Sequence, residues 1–369
     1  MSTNTMSAAP RHMAKGGIAA KPDYMRYYGL DILKICAIVL IAMHHFQQDF
    51  WVTYSHINFY GGRFYFGYAV ELFFVISGFV TVASESNKDQ GAVVRPFLHR
   101  LKRLWPPAAV SVLVATALWP VYHHFSGLWW SNHPLSLKSF FLSLSTISQG
   151  AVVSGYSYNN PLWYVGVLII CYAAFYLLRR LSKVLHIPSW VLFAALSLIG
   201  FWGVQAQIDV PFLAMSSSAR GYAAFFLGVL LGMIVPRAAS GRRHRVVAIV
   251  AGIVAFAACV GLYRSDTLLQ HEWLVEMCLV WPELVLLVTL GDAVQRLGDN
   301  LVVAFLGRIN YEFYVWHSVV SIVIATVCAA LGVAIPTSRL DMLLYLLLCG
   351  VVATVMYYAV ERPLAKVFR

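Results

Sequence analysis

The sequence predicts an all-α fold, a polytopic bundle of about ten transmembrane helices, and three observations support this class. Of the 369 residues, 60% are hydrophobic and only 12% are charged, whereas charged residues make up about 25% of an ordinary soluble domain. Several apolar runs reach the ~20 residues that are needed to cross a bilayer. Lys and Arg gather in alternate loops, as the positive-inside rule requires.

Ten segments of the chain are apolar enough to be placed as spans. The predicted spans are residues 30–51, 64–84, 104–124, 161–179, 189–207, 220–236, 245–263, 273–291, 309–332 and 340–360. The longest connection, 125–160, contains "SFFLSLSTISQGAVV", which is too polar for a full span. We expect this piece to be re-entrant or to lie at the membrane interface.

The distribution of the 27 basic residues predicts which way the chain is inserted. With the N-terminus inside, 22 of them fall on the inner side of the membrane. This asymmetry places both termini in the cytoplasm. The five basic residues on the outer side are Arg63, Lys138, Arg220, Arg264 and Arg339.

The chain is predicted to carry one domain behind a short tail. Residues 1–29 form a basic cytoplasmic tail, because the first apolar run begins too late for a cleavable signal peptide. Residues 30–369 form a single membrane-embedded domain, and we expect no extra soluble C-terminal domain. The basic residues are spread over six inner segments, which argues against nucleic-acid binding. The six cysteines show no metal-ligand spacing, so no metal site is predicted.

An ionisable pair in the first span is the first candidate for chemistry. Lys34 and His45 are eleven residues apart in "KICAIVLIAMHHFQQDFW", so on a helix they share one face, about 16 Å apart along the axis. His44 points away from Lys34, and Asp49 lies one turn after His45, where it could orient the imidazole. Ionisable side chains inside a membrane are functional candidates because they are costly. A histidine that only packs between helices is the equal alternative.

Two further segments contain charged residues beside apolar runs. The second span reads "GYAVELFFVISGFV", with Glu71 near its outer third and a Ser77-Gly78 pair that permits close helix packing. Before the third span, "RPFLHRLKRLWPP" includes the basic residues His99, Arg100, Lys102 and Arg103. This run is either a positive-inside anchor or a site for a phosphorylated ligand, which Arg binds through its bidentate fork. Its two prolines are expected to mark the start of the third span.

These segments, in this order, resemble acyltransferase family 3, the membrane-bound acyl-CoA-dependent O-acyltransferases of bacteria. The resemblance rests on Lys34 with His45, on "ELFFVISGF", on the basic run, on "PLWYVGVLI" at 161–169, on "GRINYEFYVWH" at 307–317 and on the closing "ERP". Three positions depart from the family pattern. Lys34 and His99 stand where the family usually has Arg, and Asn310 stands where it has Ser.

The resemblance implies an integral membrane O-acyltransferase. Such an enzyme moves an acyl group, most commonly acetyl, from cytoplasmic acyl-CoA to a hydroxyl of a carbohydrate of the cell envelope or exopolysaccharide. The expected location is the bacterial plasma membrane, and the expected partners are acyl-CoA, a glycan or glycolipid acceptor and the lipid bilayer. No metal cofactor is implied.

The same resemblance suggests roles for individual residues. His45 is the general base or a transient nucleophile, Lys34 steers the donor or stabilises developing charge, and Glu71, in preference to Asp49, holds the imidazole tautomer. The basic run (His99, Arg100, Lys102 and Arg103) binds the nucleotide and pyrophosphate of the donor. The residues expected to line the substrate cavity are Trp163, Tyr311, Tyr314, Trp316 and His317. For the four from the ninth span, a packed aromatic stripe with an interfacial role is the equal alternative.

A membrane transporter or exporter of a polysaccharide precursor or small molecule is the alternative function. It would use the same intramembrane polar residues as a substrate pathway. Transporters often contain inverted repeats and broken helices, and the sequence shows neither. Dependence on acyl-CoA would distinguish the two functions.

Overall fold

The computed structural model describes residues 27–85, 92–131, 136–146, 150–151, 158–207, 210–212, 215–235 and 241–367. These residues form ten helices that are long and apolar enough to cross a membrane, and no strand occurs among them. The predicted all-α transmembrane bundle is therefore confirmed. In order, the spans are Tyr28–Phe50, Phe66–Glu85, Val94–Ser126, Asn160–Leu185, Ser189–Ala206, Ser216–Ile234, Arg242–Arg264, Glu272–Leu290, Leu301–Leu331 and Arg339–Lys366.

Several spans are not uniform α-helices. The second and fourth begin with single 3₁₀ turns, at Phe66–Tyr68 and Asn160–Leu162. The eighth and tenth contain π-helical turns, at Glu276–Val280 and Tyr357–Glu361. Three short helices, Leu137–Ser145, Asp266–Leu269 and Asp292–Gly298, lie in the connections.

The start of the third span differs from the sequence prediction. Its helix begins at Val94, so Pro106 and Pro107 lie inside the helix rather than at its first turn. Each proline removes one N–H from the helical ladder. The carbonyls left without that donor belong to Lys102 and Arg103, which are exposed residues.

The ninth span lies at the centre of one half of the bundle. It packs against the first, third and tenth spans, while the second packs against the sixth and the sixth against the fifth. Glycines allow the closest of these approaches, as the Ser77-Gly78 pair predicts. A Cβ on Gly78 would lie 2.0 Å from the Phe225 carbonyl oxygen, and one on Gly228 would lie 2.0 Å from that of Val75. Only glycine fits at either position.

The short helix Leu137–Ser145 lies beside the third span rather than beyond its end. At one end, Ser139 is 3.1 Å from the hydroxyl of Tyr158, whose ring packs on Trp119. At the other end, the Trp105 indole donates to the Leu144 carbonyl at 3.0 Å. Trp119 and Trp105 are nearly four turns apart, so the described part of the long connection runs back into the bundle. Of the two predicted placements, the contacts favour the re-entrant one.

Ten spans are an even number, so Tyr27 and Val367 lie at the same face of the bundle. We call this the first face, and the face at which the first span ends, at Phe50, the second face. Lys34 lies toward the first face. His45 and Glu71 lie toward the second, because the first span ends there and the second span begins there.

Candidate active site

His45 is buried near the second-face end of the first span, with 9% of its surface exposed. Its Nδ1 lies 2.9 Å from the Gln48 side-chain oxygen. An amide oxygen only accepts hydrogen bonds, so Nδ1 carries the proton and Nε2 keeps its lone pair. This is the tautomer in which Nε2 can take a proton from a substrate hydroxyl.

His317, from the middle of the ninth span, faces His45. The two ring centroids are 5.1 Å apart, and His317 has no exposed surface. Its Nδ1 lies 2.7 Å from the Tyr314 carbonyl, so Nδ1 donates and Nε2 again keeps its lone pair. That Nε2 is buried and has no hydrogen-bond partner among the described residues, which places an unused acceptor next to His45.

Lys34 lines a cavity of about 190 Å³ in the first-face half of the bundle, which we call the basic cavity. Its wall includes four cations, Lys34, Arg100, Arg103 and Arg308, and none of its described lining residues is acidic. Asp31 lies 3.3 Å from the Lys34 ammonium, one turn away, and offsets only part of this charge. The arrangement suits an anionic ligand.

The basic run before the third span is divided between this cavity and the surface. Arg100 and Arg103 line the basic cavity, whereas His99 and Lys102 do not. Arg100 is held in place by a 2.9 Å hydrogen bond to Ser84 and lies 4.9 Å above the Tyr172 ring. His99, Lys102 and Arg103 are all exposed, so the lining of the cavity and not burial distinguishes Arg103 from the other two. Of the two candidates for the position that departs from the family pattern, Arg100 therefore faces the cavity and His99 does not.

Arg308 is a cavity residue that the sequence analysis did not single out. It stands inside the quoted segment "GRINYEFYVWH", three residues before Tyr311, and therefore on the same helical face. That spacing could have identified it. Asn310, which also lines the cavity, donates to the Lys34 carbonyl at 3.1 Å and joins the ninth span to the first.

The predicted aromatic residues occupy different places. Tyr311 and Tyr314 line the basic cavity, and the Tyr314 hydroxyl donates to the Pro161 carbonyl at 2.6 Å. Trp316 is buried away from the cavity, with its indole bonded to Glu312 at 2.8 Å. Trp163 lies 4.9 Å below the Arg220 guanidinium toward the second face. Of the five residues that were expected to line the substrate cavity, only Tyr311 and Tyr314 line the basic cavity.

Glu71 does not contact His45, contrary to the role predicted for it. Its carboxylate accepts two hydrogen bonds from Arg220, at 2.5 and 2.9 Å, and one from the Trp273 indole at 2.8 Å. The close packing of the second span on the sixth brings Arg220 to this position. Asp49 does not take this role either, because the His45 Nδ1 is bound by Gln48 and the Asp49 Oδ2 is buried without a hydrogen-bond partner among the described residues. Gln48 is the residue that orients His45.

Aromatic and imidazole rings connect the basic cavity to His45 and beyond it. Tyr164 and Tyr314 line the cavity with their centroids 5.1 Å apart, and Tyr314 is 5.7 Å from His317. His317 contacts His45, whose ring is in turn 5.3 Å from that of His44. The rings of Tyr314 and His317 thus separate the basic cavity from His45.

The fold and this site define a multi-pass membrane protein with paired buried histidines beside a cationic cavity. The family model described as "Acyltransferase domain", that of acyltransferase family 3, matches residues 27–361. The chain belongs to this family and is a membrane acyltransferase, as the resemblance predicts. No curated protein and no solved structure shows a significant match.

Proposed function

We propose that the chain transfers an acyl group, acetyl in the simplest case, from acyl-CoA to a hydroxyl of a carbohydrate of the cell envelope or exopolysaccharide. The observation that carries the proposal is the basic cavity, which is lined by four cations and by Tyr314, whose ring contacts His317 of the His317–His45 pair. The family resemblance supports the carbohydrate as acceptor.

The donor enters from the first face, which we assign to the cytoplasm on the positive-inside distribution of Lys and Arg. Arg100, Arg103 and Arg308 bind its phosphates through charge-assisted hydrogen bonds. At about 190 Å³ the basic cavity is smaller than a usual ligand pocket of 300–1,000 Å³. It therefore takes part of acyl-CoA, with the remainder at the membrane face.

His45 is the general base in this proposal. Its Nε2 removes the proton of the acceptor hydroxyl, and the oxygen attacks the thioester carbonyl carbon. The C–S bond breaks, CoA leaves as a thiolate, and the proton held by His45 returns to neutralise it. A positioned histidine contributes about 10²- to 10⁴-fold to such a step.

The test is turnover by the purified protein in liposomes supplied with radiolabelled acetyl-CoA and a host glycan-lipid extract. We expect CoA release and labelled glycan from the wild type, and a loss of both of at least ~10²-fold in His45→Ala. His124→Ala, which removes an exposed histidine at the end of the third span, is the matched control and should retain activity. Equal turnover by His45→Ala and the wild type would contradict the assignment.

A further inference from the structure

A second cavity, of about 660 Å³, opens at the second face, and we call it the polar cavity. It lies between the loop before the second span and the ends of the fifth, sixth and eighth spans. Its size falls within the 300–1,000 Å³ of ordinary ligand sites. The residues that define its chemistry are Tyr65, Tyr68, Gln205, Gln207, Gln270 and His271.

The described lining of this cavity contains one arginine and one glutamate, unlike that of the basic cavity, whose charged residues are all cations. Arg220 lines the cavity, but its guanidinium is already paired, because it donates two hydrogen bonds to the Glu71 carboxylate. The other charged lining residue is Glu272, which accepts a hydrogen bond from the Tyr65 backbone at 2.9 Å. A phosphorylated or carboxylated ligand would find no unpaired cation among the described lining residues.

The lining is suited to hydroxyl groups. Three glutamine amides each supply donors and an acceptor, and the two tyrosines add hydroxyls and apolar ring faces. Gln205, Gln207 and Gln270 are exposed and line the cavity. Amides beside aromatic rings can bind both the hydroxyls and the apolar faces of a sugar ring.

The polar cavity is connected to the catalytic histidines through Tyr65. Its ring centroid is 5.0 Å from that of His44, which is 5.3 Å from that of His45. His44 is fixed by a 2.8 Å hydrogen bond from Nδ1 to the Phe59 carbonyl. The ring series that begins at Tyr164 in the basic cavity therefore ends at this second cavity, with His45 between the two.

We propose that the polar cavity binds the acyl acceptor, a neutral polyhydroxylated carbohydrate, on the side of His45 opposite the donor, where the rings of Tyr65 and His44 separate the cavity from His45. This inference rests on the proposed acyltransferase reaction and adds the location and the charge class of the acceptor. Donor and acceptor then approach one base from two sides of the membrane.

The test compares Gln205→Ala/Gln270→Ala and Gln207→Trp with the wild type in the same liposome assay. The first variant removes two amides and the second narrows the cavity. We expect the KM for the glycan-lipid extract to rise about tenfold or more, while the KM for acetyl-CoA stays within twofold. Thr267→Ala is the control, because Thr267 is exposed, lies two residues before a lining residue and does not itself line the cavity.

The outcomes separate this inference from the function on which it rests. An unchanged KM for the extract, or a raised KM for acetyl-CoA, would overturn the acceptor site. Labelled product retained on an anion exchanger would overturn the neutral class, since we expect the label in the unretained fraction. Absence of CoA release by the wild type would instead contradict the proposed donor.

Discussion

At the scale of single residues, the most informative feature is the pairing of two buried histidines from different helices. A buried acceptor without a partner costs free energy that a folded protein normally avoids. His317 nevertheless keeps such an atom, its Nε2, with its ring 5.1 Å from that of His45. The position is therefore better explained by a ligand or by chemistry than by packing.

We expect His317→Ala to lower kcat about 10²-fold or more, because it removes an imidazole next to the reacting groups. The KM for acetyl-CoA should change little, since the phosphate-binding cations are untouched. Steady-state kinetics of the reconstituted protein measure both. A variant with wild-type kcat would show that His317 only packs against His45.

Glu71 and Arg220 are expected to act on stability rather than on chemistry. Removal of one partner of a buried ion pair costs about 3–5 kcal/mol because the other charge is left uncompensated. Glu71→Ala should therefore lower the thermal midpoint in detergent, and Glu71→Leu/Arg220→Met should recover most of that loss. If Glu71→Ala melts like the wild type but is inactive, Glu71 has a direct catalytic role.

At the scale of elements, the third span presents its basic residues on different sides of one helix. Arg103 lies between His99 and Arg100 around the helix, about 40° from the first and about 60° from the second. Helix periodicity alone therefore does not separate them, and the packing of the neighbouring spans decides that Arg100 and Arg103 line the cavity and His99 does not. The ninth span adds Arg308 from the other side.

Arg100→Gln should raise the KM for acetyl-CoA about 10- to 100-fold, which corresponds to the 1.5–3 kcal/mol of a hydrogen bond to a charged group. His99→Gln is the matched neighbour and should leave this KM unchanged, because His99 does not line the cavity. The opposite ranking of the two variants would show that the run binds the donor at the exposed surface.

Gly78 should be the least replaceable residue of the second span. Any Cβ there would meet the backbone of the sixth span, so Gly78→Ala must separate two helices and is expected to cost about 1–3 kcal/mol. Gly350→Ala is the control, because its nearest contact would be 4.0 Å away. The fraction of folded protein after heating, measured by size-exclusion chromatography, should fall only for Gly78→Ala.

At the scale of the whole molecule, the number of spans is even, so both ends of the described chain lie on the same side of the membrane. We propose, from the positive-inside distribution, that this side is the cytoplasm. In that orientation the basic cavity would open toward the compartment that supplies the proposed donor, acyl-CoA, and the polar cavity would open away from it.

This orientation predicts the reactivity of introduced cysteines. In intact cells a membrane-impermeant maleimide should label Ile335→Cys, in the exposed loop at the second face, but not Lys366→Cys at the first. After permeabilisation both should react. Labelling of Lys366→Cys in intact cells would reverse the assignment of the two faces.

The sequence by itself determined the features that depend on local order along the chain. Ten apolar runs predict ten spans, the alternation of Lys and Arg predicts their direction, and helix geometry puts Lys34 and His45 on one face. These features follow from each helix and its own flanking residues, so no knowledge of neighbouring helices is needed.

Only the tertiary structure decided which side chains meet across helices. It pairs Glu71 with Arg220, 149 residues away. It also places His45 in contact with Gln48 and His317. Arg100 and Arg308, from different spans, meet at the basic cavity. The hydropathy of a span shows that it lies in the membrane but does not show which helices surround it. The arrangement of the helices side by side in the membrane depends on close contacts such as that of Gly78 with the sixth span. These contacts form only when the helices pack together.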